Sequence, residues 1–146
     1  MTRRSALALA LVLVLGCRGD EIPDFWGLRL GMTATDVRDR FTAKNGSFKA
    51  ETAADDYTIR WTPKEPADDS PREVELAFHM GSLVAITAKI PEASAFAKGP
   101  PFVITKRSAL KRSPSTAGLV DVELLARDCP THRSRSEAIV DEASRR

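Results

Sequence analysis

The chain has 146 residues, with 22 basic and 20 acidic side chains and two cysteines. Arg3 and Arg4 lie in the leader described next, so the 22 basic residues fall to 20 without it, equal to the 20 acidic ones. A neutral balance leaves no overall positive field to recruit nucleic acid, and we predict no nucleic-acid partner. The length suits one domain with its own core.

Residues 1–16 have the anatomy of an export signal. Arg3 and Arg4 precede a run of Ala, Leu and Val from Ala6 to Leu15, which is a basic region followed by an apolar one. About 10 apolar residues are too few to cross a bilayer core, since a spanning helix needs about 20. The sequence therefore predicts a cleaved signal peptide over residues 1–16.

The apolar run ends Val14-Leu15-Gly16-Cys17, which resembles the lipobox of bacterial lipoproteins. The resemblance implies that cleavage precedes Cys17 and that lipid is attached there. The alternative is an ordinary cleavage site beside a chance cysteine. The residue after Cys17 is Arg18 and not Asp. By the sorting rule of that family, this residue implies the outer membrane, with the domain facing the periplasm.

A lipidated Cys17 would be followed by a short tether, which we place at residues 17–24. Residues 18–24 reach at most about 23 Å when fully extended. We expect residues 25–146 to form a single domain that works close to the bilayer. Since lipidation uses Cys17, Cys129 is left as the single thiol, and no internal disulfide is expected.

The domain is predicted to begin with a strand and a helix. Apolar residues alternate from Trp26 to Leu30, which predicts a short strand. Thr33 is placed as the N-cap of a helix, and Asp36 as the acid of a capping box. Met32 and Val37 hold the positions of a hydrophobic staple, and Asn45-Gly46 is placed to end the helix.

Extended runs with alternate apolar residues predict the strands, at residues 48–50, 57–61, 74–80, 84–90, 102–111 and 119–127. The first two runs form either two strands or one interrupted strand. The next two form a hairpin that turns at Gly81-Ser82. Residues 131–146 permit a helix that is poor in apolar side chains. The fold class predicted is α+β, a small, mainly antiparallel sheet with one well-capped helix near the start of the mature domain.

Residues 27–37, Gly-Leu-Arg-Leu-Gly-Met-Thr-Ala-Thr-Asp-Val, resemble the Leu-Gly-Met-Thr-x-x-Asp/Glu-Val signature of small outer-membrane lipoproteins of the BamE/SmpA type. In that family, helical elements pack on a small antiparallel sheet. The resemblance implies a small envelope lipoprotein of α+β class. It assigns no functional residue.

The sharpest candidate for chemistry is Asp128-Cys129-Pro130-Thr131-His132. A thiol near a helix N-terminus and beside a histidine can have a lowered pKa, so Cys129 and His132 form a weak thiol-site candidate. The competing interpretation is a small buried cysteine after a strand, capped by Asp128 or Thr131, with His132 on the surface. We favour the buried cysteine because no second cysteine or oxyanion hole can be recognised.

Neither a cofactor nor a metal is predicted. Cys129, His132 and His79 are too few soft ligands for a structural zinc site, and the Asp55-Asp56 and Asp68-Asp69 pairs match no calcium loop. No catalytic residue is assigned, and we predict that the protein is not an enzyme.

The leading hypothesis is a non-catalytic, membrane-anchored lipoprotein of the cell envelope. It would bind another macromolecule, an envelope protein partner, as an accessory or assembly module. Two alternatives stay open: a thiol-dependent enzyme that uses Cys129 and His132, and a lipoprotein that binds a small ligand or lipid.

Overall fold

The computed structural model describes residues 25–42, 46–53 and 56–146. The predicted signal peptide at residues 1–16, Cys17 and the rest of the tether lie outside the described residues, as do Asn45 and Asp55. Within the described part the fold is α+β, with a mainly antiparallel sheet, so that part of the predicted fold class is confirmed. No helix in this part is long and apolar enough to cross a membrane.

The elements in chain order are α1 (Ala34–Thr42), β1 (Gly46–Ala53), β2 (Asp56–Pro63), β3 (Glu73–His79), β4 (Ser82–Pro91), a 3-10 helix (Ala95–Ala97), β5 (Phe102–Ile104), β6 (Ser108–Pro114), β7 (Leu119–Ala126) and α2 (Arg133–Ser144). The seven described strands form one sheet in the order β1-β2-β3-β4-β7-β6-β5, and each pair is antiparallel. Two meanders, β1 to β4 and β5 to β7, therefore join where β4 pairs with β7.

One face of the sheet, here called the core face, holds the main hydrophobic core. Side chains in register across the strands form its central row, Ile59, Leu76, Ile86, Leu124 and Leu110. All of them are buried. Phe25, Leu28 and Val37 from the start of the domain pack over this row, so the N-terminal segment is the second layer of the core.

The opposite face, here called the helix face, is apolar only under α2. Ile139 of α2 packs on Ala85, Ala109 and Leu125. Towards β2 and β3, this face has ion pairs, such as Arg60 with Glu75 at 2.8 Å. The helix thus covers the β5, β6 and β7 end of the face and leaves the β1 to β3 end to solvent.

The prediction of a single helix near the start needs correction, because the helix that packs on the sheet is α2, at the C-terminal end. Its sequence is poor in apolar residues, yet Ala85 and Ala109 leave enough room for Ile139 to dock. Near the start of the domain, α1 spans Ala34–Thr42. There the hydroxyl of Thr33 accepts a hydrogen bond from the backbone N–H of Asp36 at 3.2 Å.

The predicted strand at residues 26–30 is wrong. Phe25 and Leu28 form an isolated bridge, and Trp26 and Gly27 between them have φ values of 54° and 80°. Positive φ at both central residues is typical of a type I′ turn. The alternation of apolar residues therefore arises from a tight turn, and it places Trp26 at the tip of that turn.

The predicted hairpin is confirmed as β3 and β4, although it turns one residue earlier than predicted. Met80 and Gly81 have φ values of 49° and 81°, so Met80 leaves the apolar face and is 76% exposed. The strand predicted over residues 102–111 is instead two strands. The hydroxyl of Thr105 accepts hydrogen bonds from the backbone N–H groups of Arg107 and Ser108, and this turn separates β5 from β6.

Candidate functional site

The predicted thiol candidate lies in the turn between β7 and α2. The backbone N–H of His132 donates to the carbonyl of Cys129 at 3.2 Å, which closes the turn. His132 is the N-cap residue of α2, but its side chain makes no cap hydrogen bond. Asp128 and Thr131, the caps considered from sequence, therefore do not hold that position.

The turn brings three polar side chains together. The Sγ of Cys129 lies 3.6 Å from Nδ1 of His132 and 3.1 Å from Oγ1 of Thr131. The Thr131 hydroxyl is also 3.1 Å from the same ring nitrogen. The structure thus brings Cys129 and His132 into contact, as the spacing predicts for the thiol candidate.

The imidazole of His132 is half-buried, and burial lowers its pKa below the ordinary value. The carboxylates of Asp56 and Glu123 act in the opposite direction, and His79 adds to the lowering. Nδ1 of His79 on β3 lies 2.8 Å from Oδ1 of Asp56 on β2, so His79 is paired with a residue of the neighbouring strand. Both histidines therefore belong to one polar group at this end of the sheet.

A thiol next to an imidazole is the arrangement of a nucleophile with its general base. Here Cys129 is only 4% exposed and packs against Val84 and Ala126. Within residues 56–146, no carboxylate or amide side chain hydrogen-bonds His132 to orient its ring. The geometry therefore favours a satisfied, buried cysteine over an attacking thiolate.

Metal ligands do not come together either. In the part of the chain that the structure describes, no group of three His, Cys, Asp or Glu side chains is placed to hold a metal ion. The neighbouring basic residues of β6 also lie on different faces of the sheet. Lys111 pairs with Glu142 at 2.5 Å on the helix face, whereas Arg112 is buried on the core face.

A second candidate site is a cleft of about 450 Å³ at the opposite end of the core face. Its lining residues come from the start of the domain, the loop after β2 and the turn around the 3-10 helix: Trp26, Trp61, Pro63, Glu65, Asp69, Ser70, Pro71, Ser94, Ala95 and Phe96. We call it the aromatic cleft. Cavities of this size are typical of small-ligand sites.

Two aromatic side chains build one wall of the aromatic cleft. The rings of Trp26 and Phe96 have centroids 4.8 Å apart at an angle of 56°, and Phe25 stacks on Phe96 from behind at 5.5 Å. Trp26 reaches this position because of its φ of 54°, a conformation that is uncommon for a bulky residue. The type I′ turn is thus what directs the indole towards Phe96.

Buried polar groups hold the Phe96 wall in place. The hydroxyl of Ser94 accepts from the backbone N–H of Phe96 at 3.3 Å. Arg112, buried with its pKa lowered by desolvation, donates to the carbonyls of Phe96 and Pro100 at 3.1 and 2.9 Å. Arg112 of β6 therefore supports this loop from the core face.

Sequence reasoning missed the aromatic cleft because its walls come from three distant segments. The sequence of residues 62–72, which is polar with three prolines, predicts only a loop, and that of residues 91–101, rich in Ala and Pro, predicts a connection with room for one turn of helix. The usable signal was the aromatic residue Phe96 within such a connection, since an apolar ring in a loop needs a surface to pack on.

The chain matches no protein-family model, no curated protein and no solved structure.

Proposed function

We propose that the protein is a non-catalytic lipoprotein of the cell envelope, anchored through Cys17, whose domain binds an envelope protein close to the membrane. The lipobox-like end of the leader and the BamE/SmpA-like segment at residues 27–37 support the class. Arg18 directly after Cys17 supports the outer membrane, with the domain in the periplasm. The role is that of an accessory or assembly module.

The main support for the binding role is the difference between the two edge strands of the sheet, β5 and β1. At one edge, β5 has three residues, follows Pro100-Pro101 and is contacted by α2. At the other edge, β1 has eight residues and pairs only with β2 among the described strands. Short strands, prolines and covering helices protect an edge from pairing, so β5 is protected, whereas β1 has no second strand partner among residues 25–42, 46–53 and 56–146.

An open edge strand supports recognition by strand addition, in which a partner's extended segment hydrogen-bonds to the edge. The side chains of β1 point alternately to the two faces of the sheet. A partner strand at this edge would therefore contact Lys49 and Glu51 on the helix face. Both side chains are more than half exposed and lie 3.5 Å apart. A membrane anchor would raise the effective concentration of such a partner in the same membrane.

The test is site-specific photocrosslinking in native-type membranes. A photoreactive residue replaces Glu51 on β1, and a matched variant carries it at Ala117, an exposed residue of the turn between β6 and β7. We expect one specific, stoichiometric protein adduct from the Glu51 position and none from Ala117. The same weak adducts from both positions, or a monomer purified with a bound metabolite, would contradict the protein-partner role.

A thiol-dependent enzyme is the second candidate, because the Sγ of Cys129 lies 3.6 Å from the imidazole of His132. Burial of Cys129 and the missing orienting group weigh against it. Alkylation of folded protein distinguishes the two, since a catalytic thiol labels rapidly at pH 6 and a buried one labels only after unfolding.

A further inference from the structure

We propose that the aromatic cleft binds the ammonium group of a zwitterionic phospholipid headgroup in the membrane to which the protein is anchored. The ligand class follows from three features of the cleft: its aromatic walls, its carboxylates and its place at the start of the domain. The choice of a lipid as the source of the ammonium rests on the proposed anchor at Cys17.

The aromatic walls suit an organic cation. Trp26 and Phe96 stand at an angle to one another, with centroids 4.8 Å apart, and Trp61 lines the same cavity from β2. Ring faces attract an ammonium group because the π-system is negative on its face, and tryptophan does so most strongly. Three aromatic side chains around one cavity therefore favour a cation as its ligand.

The charged residues that line the cleft are all acidic. Glu65 and Asp69 line it, both in the exposed loop after β2, and no basic residue is among the lining side chains. Neither carboxylate forms an ion pair with another described residue within 4.0 Å. The cleft thus has carboxylates available for an ammonium group, and they would repel a ligand that has negative charge alone.

Hydrogen bonds fix the loops on both sides of the cleft. On the loop side, the hydroxyl of Ser70 accepts from the backbone N–H of Ala67 at 3.1 Å, and Arg72 donates to the carbonyl of Ala67 at 2.9 Å. On the other side, Arg112 and Ser94 hold the Phe96 turn. Pre-organised walls lower the ordering cost of binding.

The position of the cleft points to the membrane as the source of the ammonium. The described domain begins at Phe25, which stacks on Phe96 beside the cleft. With lipid on Cys17, residues 18–24 keep this point within about 23 Å of the anchor. Trp and other aromatic side chains are also favoured at the level of lipid headgroups. A headgroup is therefore the ammonium ligand at highest local concentration.

Intrinsic fluorescence reports directly on the cleft, because the chain has two tryptophans and both line it. Full-length protein from a native-type host, in a maltoside detergent without ammonium groups, is titrated with O-phosphoethanolamine. Glycerol phosphate is the matched ligand, since it has the phosphate but no ammonium. We expect a saturable emission change with the first compound only. An equal change with both, or none with either, would overturn the proposal.

Variants assign the response to the carboxylates. The double variant E65Q/D69N removes both charges at the exposed rim, and E137Q removes one exposed charge on α2, away from the cleft. We expect at least tenfold weaker binding of O-phosphoethanolamine for the double variant and unchanged binding for E137Q. Equal affinity in all three proteins would contradict the role of Glu65 and Asp69.

Reconstitution in lipid vesicles identifies the source of the ammonium group. The same protein is reconstituted in vesicles of phosphatidylglycerol with or without phosphatidylethanolamine. An emission change that appears only with phosphatidylethanolamine supports the lipid headgroup, whereas a response to the soluble amine alone overturns it. The intact mass of each preparation shows whether Cys17 is acylated, so a missing anchor, which would defeat the proposed function, is told apart from a cleft that does not bind.

Discussion

Replacement of Ile139 by alanine should destabilise the domain by about 3 kcal/mol. Ile139 is 4% exposed and is the main apolar contact of α2, resting on Ala85, Ala109 and Leu125. The substitution removes three carbon groups worth about 0.8 kcal/mol each when buried. The cavity left behind adds to this cost, and the better helix preference of alanine offsets about 0.4 kcal/mol.

The free energy of unfolding is measured by urea denaturation of the full chain, with E137A as control, since Glu137 is exposed on the same helix. The control should stay within about 0.5 kcal/mol of the wild type. In the Ile139→Ala variant, the peptide that holds Cys129 should also be alkylated faster, because α2 follows that turn directly. A loss below 1 kcal/mol, indistinguishable from E137A, would show that α2 does not depend on this contact.

Three further outcomes follow from the described contacts. Thr33→Ala should cost about 1 kcal/mol of unfolding free energy, as is usual for a lost cap, with Thr35→Ala, at an exposed helical position, as a near-neutral control. Cys129 should resist alkylation at pH 6 in the folded protein and react only on unfolding; rapid labelling would instead support the enzyme alternative. Burial lowers the pKa of His132, so the unfolded chain binds that proton more tightly than the folded one. Stability should therefore be intact above about pH 6.5, the ordinary histidine value, and should fall as the pH drops towards the lower folded pKa. This decline should be smaller in His132→Gln, and an unchanged pH profile in that variant would refute it.

Local patterns in the sequence were sufficient for some elements. The alternation around Gly81 predicts the β3 and β4 hairpin, since each strand buries one face. The three-residue spacing of Cys129 and His132 predicts their contact, because a single turn closes it. In both cases the determining interactions lie within a few residues of one another.

Other features depend on contacts that a local pattern does not contain. The turn at Trp26 needs positive φ at a bulky residue, and the ring of that residue packs on Phe96, which is distant in sequence. The docking of α2 depends on alanines of β4 and β6 that are distant in sequence. The aromatic cleft and the pairing of His79 with Asp56 likewise need the strand order, which alternation does not specify.

The most direct test of the proposed function is the mass of the protein isolated from the membranes of a native-type host. We expect a mature chain that starts at Cys17 and carries the lipid, together with loss of membrane association in Cys17→Ser. Unmodified, soluble wild-type protein that fractionates in the same way as Cys17→Ser would contradict it.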